Sequence, residues 1–369
     1  MASTSMRTTC FSNLTTDERI EIFMRKRDLR LEVVLKAFFG KLAIPFASVA
    51  LAFTIIFIIV VFNAIKQRRV SRKCYILLLN RAIGDVLACF CCLMSAAYVL
   101  IATNVNRDIV GIMETFFIAS FWSAMVSYVS LSILKLYAVA RPFFYRRVFT
   151  LRRCVYLVIF SWVVFAIMAT YALTVSALVK IPALNEWSGC KIETCMRTMF
   201  RLRNFLTVTV YLFTIISFFI TVFFIRRAQR FVDSFQRKRD RNDPASQVRF
   251  PLWKLALNVG TFGLLYIFYA IWAAALVMNR DKCFFQRHVS EMARILGLIR
   301  ITLLIRILID PLISFVTDFQ IRRGVLELFH IKNNRITTDS RNKILHSSSS
   351  SHTPQTPGDL RPPSVKTVA

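Results

Sequence analysis

The chain has 369 residues, 56% of them hydrophobic, 34 of them phenylalanine, and a mean hydropathy of +0.53. That is too apolar for a soluble domain of this length, and 9 glycines and 10 prolines are too few for a fibrous protein. The formal net charge of +29 would suit nucleic acid, but the basic residues sit between apolar runs and in the tail, where cytosolic loops meet anionic headgroups. Membrane lipids, not nucleic acid, are therefore the expected partner.

The first thirty residues are polar and basic, with no early apolar core ending in small residues. No cleavable signal peptide is expected, and the first apolar segment serves as its own anchor. A spanning helix needs roughly 20 apolar residues. Leu42–Ile65, Cys154–Val179, Asn204–Ile225 and Leu255–Asn279 are uncharged stretches of that kind and form the first, fourth, fifth and sixth spans. The second, about Tyr75–Thr103, carries Arg81 and Asp85, and the third, about Ile109–Leu134, carries only Glu114. The seventh, about Met292–Thr317, carries Arg294, Arg300, Arg306 and Asp310. The expected fold is an all-α membrane protein, a seven-transmembrane helix bundle.

Seven spans put the termini on opposite sides. Segments 66–74, 135–153 and 226–254 hold five, six and nine Lys/Arg residues; the alternating segments 104–108, 180–203 and 280–291 hold one, five and three. Basic loops favour the cytosol, so the N-terminus is expected outside and the C-terminus inside, in the plasma membrane. The sequon at Asn13 agrees with an outer tail, while Arg7, Arg19, Arg25, Lys26, Arg27 and Arg30 pull against it. The expected organisation is an extracellular tail over 1–41, a seven-transmembrane domain over 42–317, an amphipathic surface helix over 318–330 and a disordered cytoplasmic tail over 331–369. The surface helix is read from Phe319, Ile321, Val325, Leu328 and Phe329 at helical spacing beside Arg322 and Arg323. In the tail, the serine run Ser347–Ser351 is followed by Thr353-Pro354 and Thr356-Pro357, a composition that cannot bury a core and is open to kinases.

Charged groups at membrane depth require partners or a wet cavity. Arg81/Asp85 and Arg306/Asp310 are each spaced i,i+4, so each pair lies on one helix face. Two facing helices then hold a four-charge cluster without net charge, read as a polar core switch or as a structural ion-pair network joining the second and seventh spans. Further out, Arg300 has Glu114 as its obvious partner; the alternative is that Arg300 receives an anionic group of a ligand. Phe117, Phe121 and Trp122 suggest an apolar pocket wall, in helices that are aromatic-rich anyway, and Tyr266, Phe268, Tyr269 and Trp272 are candidates for the opposite side, with core packing or a lipid-facing position as the alternative for each. Among the nine cysteines, Cys89, Cys91 and Cys92 read as small buried hydrophobes, and no metal-ligand pattern forms with the four histidines. No cofactor and no metal are expected. No nucleophile elbow, phosphate loop or zinc signature is present, so an enzyme is not expected either.

Several spaced landmarks together resemble the rhodopsin-like G-protein-coupled receptors. Leu79-Asn80-Arg81-Ala82-Ile83-Gly84-Asp85 resembles LNLAxxD. Leu134 through Tyr145 resembles DRYxAVxxPxxY, Trp162 falls at the fourth-helix tryptophan, and Asp310-Pro311-Leu312-Ile313-Ser314 is similar to NPxxY. The resemblance implies a heterotrimeric G protein as partner, with Lys135, Arg141, Arg226 and Arg227 on the coupling surface, and an extracellular small-molecule, lipid or peptide ligand. It also implies that Asp85 and Arg306 face the cavity where relatives hold sodium, so that Arg306 replaces the ion. Phe117 stands where amine receptors carry an aspartate, which argues against an aminergic ligand.

The departures from the pattern are as informative. Lys135 replaces the switch arginine and lacks its planar fork. No acid starts the sixth span (Arg249, Lys254), the fifth and sixth spans lack proline, and the sixth lacks the CWxP-like toggle. The third span has no cysteine at its outer end, so Cys190 and Cys195 pair with each other, or with Cys10 or Cys283. The pattern resembles divergent chemosensory-type serpentine receptors of nematodes. A seven-helix channel or transporter, and a non-signalling accessory membrane protein, stay open as alternatives.

Overall fold

The computed structural model describes residues 17–67, 72–102, 105–140, 145, 148–190, 192–239, 252–279, 281, 284 and 288–329. Asn13, Cys10, Arg141, Arg249, Cys283 and the 331–369 tail lie outside them. Asp17–Val34 forms α1, followed by a π-helical turn at Leu35–Lys41 and then α2, Ala43–Lys66. Next come α3 (Arg72–Ile101), α4 (Arg107–Ala140) and α5 (Leu151–Lys180). A short α6, Pro182–Ser188, ends at Gly189, whose positive φ of 60° closes the helix in the left-handed region. A second π-helical turn at Ile192–Met196 leads into α7 (Arg197–Arg239), α8 (Leu252–Met278), α9 (Val289–Thr317) and α10 (Phe319–Leu328).

Six helices among the described residues are long and apolar enough to cross a membrane. The seventh bundle helix, α9, is long but carries Glu291, Arg294, Arg300, Arg306 and Asp310. The stretch expected as a tail, 1–41, is helical from Asp17 onward. Leu31, Leu35 and Phe39, each one turn apart, bury one face of this N-terminal segment against Val99 of α3, Val110 of α4 and Leu296 of α9.

Lipid tails are as apolar as leucine, so spanning helices associate through close packing and buried polar contacts. The helices follow that logic. Ala43, Ala47, Ala50 and Thr54 lie on one buried face of α2, and Ser120, Ser123, Ser127 and Ser130 on one buried face of α4. Large apolar residues turn outward instead: Phe160 and Ile167 on α5, Phe205, Phe219 and Phe223 on α7, and Phe268 on α8. Small and polar residues thus line these helix contacts and several phenylalanines face outward, while Phe39, Phe57, Phe117, Phe121 and Phe262 stay in the interior.

One buried amide ties three helices together. Asn80 donates from Nδ2 to Ser127 Oγ and Ser161 Oγ, both at 2.9 Å, and accepts from Trp162 Nε1 at 2.8 Å. It joins α3 to α4 and α5 with its amide satisfied on both sides. At the end of α9, Asp318 accepts a hydrogen bond from Tyr75 of α3 and caps α10 by accepting from Gln320 N at 3.0 Å. Ile321 is buried and Val325 packs beside Phe57, Val60 and Val61 of α2, so the start of α10 is seated on the bundle.

Candidate functional site

The four charges of α3 and α9 meet in the middle of the bundle. Arg81, Asp85, Arg306 and Asp310 are 2%, 3%, 1% and 1% exposed, so only mutual pairing makes them tolerable there. The pairing is crossed. Arg306 Nη2 hydrogen-bonds Asp85 Oδ1, and its Nε lies 3.7 Å from Asp310 Oδ2. Arg81 Nη2 lies 3.5 Å from the same Asp310 oxygen, which accepts from the Tyr128 hydroxyl at 2.5 Å. The ring of Tyr128 is flanked by both guanidiniums, at 4.7 Å from Arg81 and 5.6 Å from Arg306, and Arg306 also lies 5.5 Å from the Phe121 ring. A ring face attracts a cation in this range. Two anions and two cations leave no charge for a metal ion, and Arg306 stands against Asp85. The residues present therefore do not fit a sodium ion.

Two turns along α9 a second pair forms. Arg300 donates from Nη1 to Glu114 Oε1 of α4 and from Nη2 to the Cys92 carbonyl of α3 at 3.1 Å. Its guanidinium lies 5.0 Å from the rings of both Phe39 and Phe117. Arg300 is 1% exposed, so this guanidinium is engaged by protein groups on several sides.

The residues expected to line a ligand pocket divide. Glu114, Phe117, Phe121, Tyr269 and Arg300 surround a void of about 10 Å³, room for at most one water. A cavity of about 650 Å³ lies beside it and shares Glu114. Its walls come from α4 (Gly111, Thr115, Ile118), α5 (Ala172, Ser176, Lys180), α7 (Met199, Phe200, Arg203), α9 (Ala293, Leu296) and the N-terminal segment (Leu31, Leu35, Phe39). Trp122 lines neither and is buried at 6% exposure. Tyr266 and Tyr269 point inward and stack in a chain with Phe121 and Phe262, whereas Phe268 points outward. The N-terminal wall and Arg203 carried no weight in the sequence; the legible signal was the spacing of Leu31, Leu35 and Phe39.

This same end of the bundle is braced by ion pairs and a disulfide. Arg107 pairs with Asp28 and Lys180 with Asp108, both at 2.6 Å, tying α1 to α4 and α5 to α4. Cys190 is disulfide-bonded to Cys195. Arg197 and Arg201 of α7 donate to the Asn279 carbonyl after α8, at 3.3 and 2.6 Å. At the opposite end, Arg226 and Arg227 are exposed on α7. Lys135 lies in α4, but its side chain, like all of Arg141, is outside the described residues.

A bundle of long apolar helices, with a cavity at one end and a neutral ion cluster in its interior, is the architecture of an integral membrane protein. Residues 56–313 match the family described as 7 transmembrane receptor (rhodopsin family). The match covers more than half of the chain, which therefore belongs to that family and to its signalling class. No curated protein matches the chain.

Proposed function

We propose that the protein binds an extracellular ligand in the 650 Å³ cavity and transmits that event to a heterotrimeric G protein at the opposite end. One observation carries the reading: α9 links the cavity to the interior ion cluster. Leu296 lines the cavity, Arg300 grips the cavity residue Glu114, and Arg306 and Asp310 hold Asp85, Arg81 and Tyr128. A ligand that favours a different seating of Glu114 thereby biases the seating of α9. It shifts the equilibrium only by its differential affinity for the two seatings. Lys135, Arg141, Arg226 and Arg227 belong to the coupling surface, and a chemosensory role fits the divergent motifs. In this reading the N-terminus is extracellular, Asn13 is glycosylated, and the protein resides in the plasma membrane.

The test is expression in cells carrying promiscuous G proteins, with volatile, lipid and peptide ligands and a second-messenger readout. Arg306→Ala and Asp310→Asn should abolish the response at matched surface levels. Wild-type signalling by both would remove the cluster from the mechanism. Absence of glycosylation at Asn13, together with a cytosolic N-terminus, would overturn the receptor orientation and favour a transporter.

A further inference from the structure

The charged groups at the large cavity almost cancel, and the remainder names a ligand chemistry. Arg107 is held by Asp28, Lys180 by Asp108, and Glu114 by Arg300. Among the described lining residues, Arg203 is the cation left without an ion pair. Its guanidinium rests 5.0 Å from the Phe200 ring, and its buried Nε has no hydrogen-bond partner. Both lining carboxylates are committed elsewhere, Asp108 to Lys180 and Glu114 to Arg300, so the site keeps one positive charge.

Apart from the hydroxyls of Thr115 and Ser176, the rest of the wall is apolar: Leu35, Ile118, Ala172, Met199 and Leu296 supply aliphatic and thioether surface. The volume of about 650 Å³ lies within the range of roughly 300–1,000 Å³ that holds drug-sized molecules. A guanidinium without an ion pair beside a largely apolar chamber matches a molecule with one carboxylate and a hydrocarbon body, because the planar fork pairs two N–H groups with two carboxylate oxygens.

We infer that the cavity binds an amphiphilic monocarboxylate, whose carboxylate pairs with Arg203 and whose chain lies between α4, α5, α7 and the N-terminal segment. This assigns to Arg203, rather than to Arg300, the anion-receiving role. The inference rests on the cavity being the ligand site of the proposed receptor, so its test measures binding without signalling.

Full-length protein in lipid nanodiscs is titrated with octanoate, dodecanoate and hexadecanoate, and with their methyl esters and the matching primary amines. The expected result is saturable binding of a carboxylate, with the ester and amine weaker by about tenfold or more. Arg203→Gln should remove that preference, and Arg203→Lys should keep part of it, at unchanged thermal midpoint without ligand. Equal affinity for acid and ester, loss of no preference in Arg203→Gln, or no binding across the series each overturns the inference. Binding with the expected preference but no second-messenger response would leave the site assigned and count against the signalling reading alone.

Discussion

Arg306 of α9 crosses to Asp85 of α3, while Arg81, one turn from Asp85 on the same helix, reaches to Asp310 of α9. Each ion pair therefore bridges two helices, and Asp310 is shared by both guanidiniums and by Tyr128. An exchange of partners inside this neutral group changes the relation of α3 to α9 without moving net charge across the membrane.

Removing one member strands a buried charge. Arg306→Ala should cost about 3–5 kcal/mol, read as a lowered thermal midpoint of the solubilised protein and reduced surface expression. Arg306→Met combined with Asp85→Leu restores neutrality and should recover most of the loss. If the double variant is as unstable as the single, pairing is not what the cluster contributes.

Because Arg306 stands against Asp85, sodium should have no specific effect. Replacing sodium by choline at constant ionic strength should leave the thermal midpoint and ligand affinity unchanged. A sodium-specific stabilisation would show that the cluster opens to admit the ion.

Arg300 and Glu114 should behave as a coupled clamp. Arg300→Gln and Glu114→Gln, alone and together, should be non-additive in stability by about 0.5–3 kcal/mol. Additive effects, with Arg300→Gln lowering ligand affinity alone, would return the anion-receiving role to Arg300.

Asn80 of α3 is satisfied by three side chains on two helices, α4 and α5, so its loss leaves several groups unpaired. Asn80→Ala should destabilise by about 1–3 kcal/mol for each buried group left unsatisfied. Trp162→Phe, which removes one donor, should cost less. Thermal melting of both variants checks the order.

Gly297 is where α9 meets the N-terminal segment. A Cβ there would lie 2.6 Å from Phe38 Cβ and 3.3 Å from Phe39 Cε2. Gly297→Ala should cost about 1–3 kcal/mol and speed proteolysis between α1 and α2. Gly260→Ala, where nothing lies within 4 Å, should be neutral or slightly stabilising and serves as the control.

Hydropathy by itself marked the apolar stretches that form the long helices, because a membrane-crossing helix must be apolar over its whole length wherever its neighbours lie. The i,i+4 spacing of Arg81/Asp85 and Arg306/Asp310 likewise announced two charged faces, and the spaced motifs announced the family. The spacing put four charges on two facing helices without fixing every pair; only the docking of α3 on α9 set Arg81 against Asp310 and brought Tyr128 between the guanidiniums. The free volume was not legible for the same reason. Phe117, Phe121 and Trp122 are aromatic in any arrangement, and packing filled their surroundings while the free volume opened beside them, against α5, α7 and the N-terminal helix. That helix is marked in the chain only by three apolar residues one turn apart, and where its face would be buried depends on surfaces supplied by segments far away in sequence.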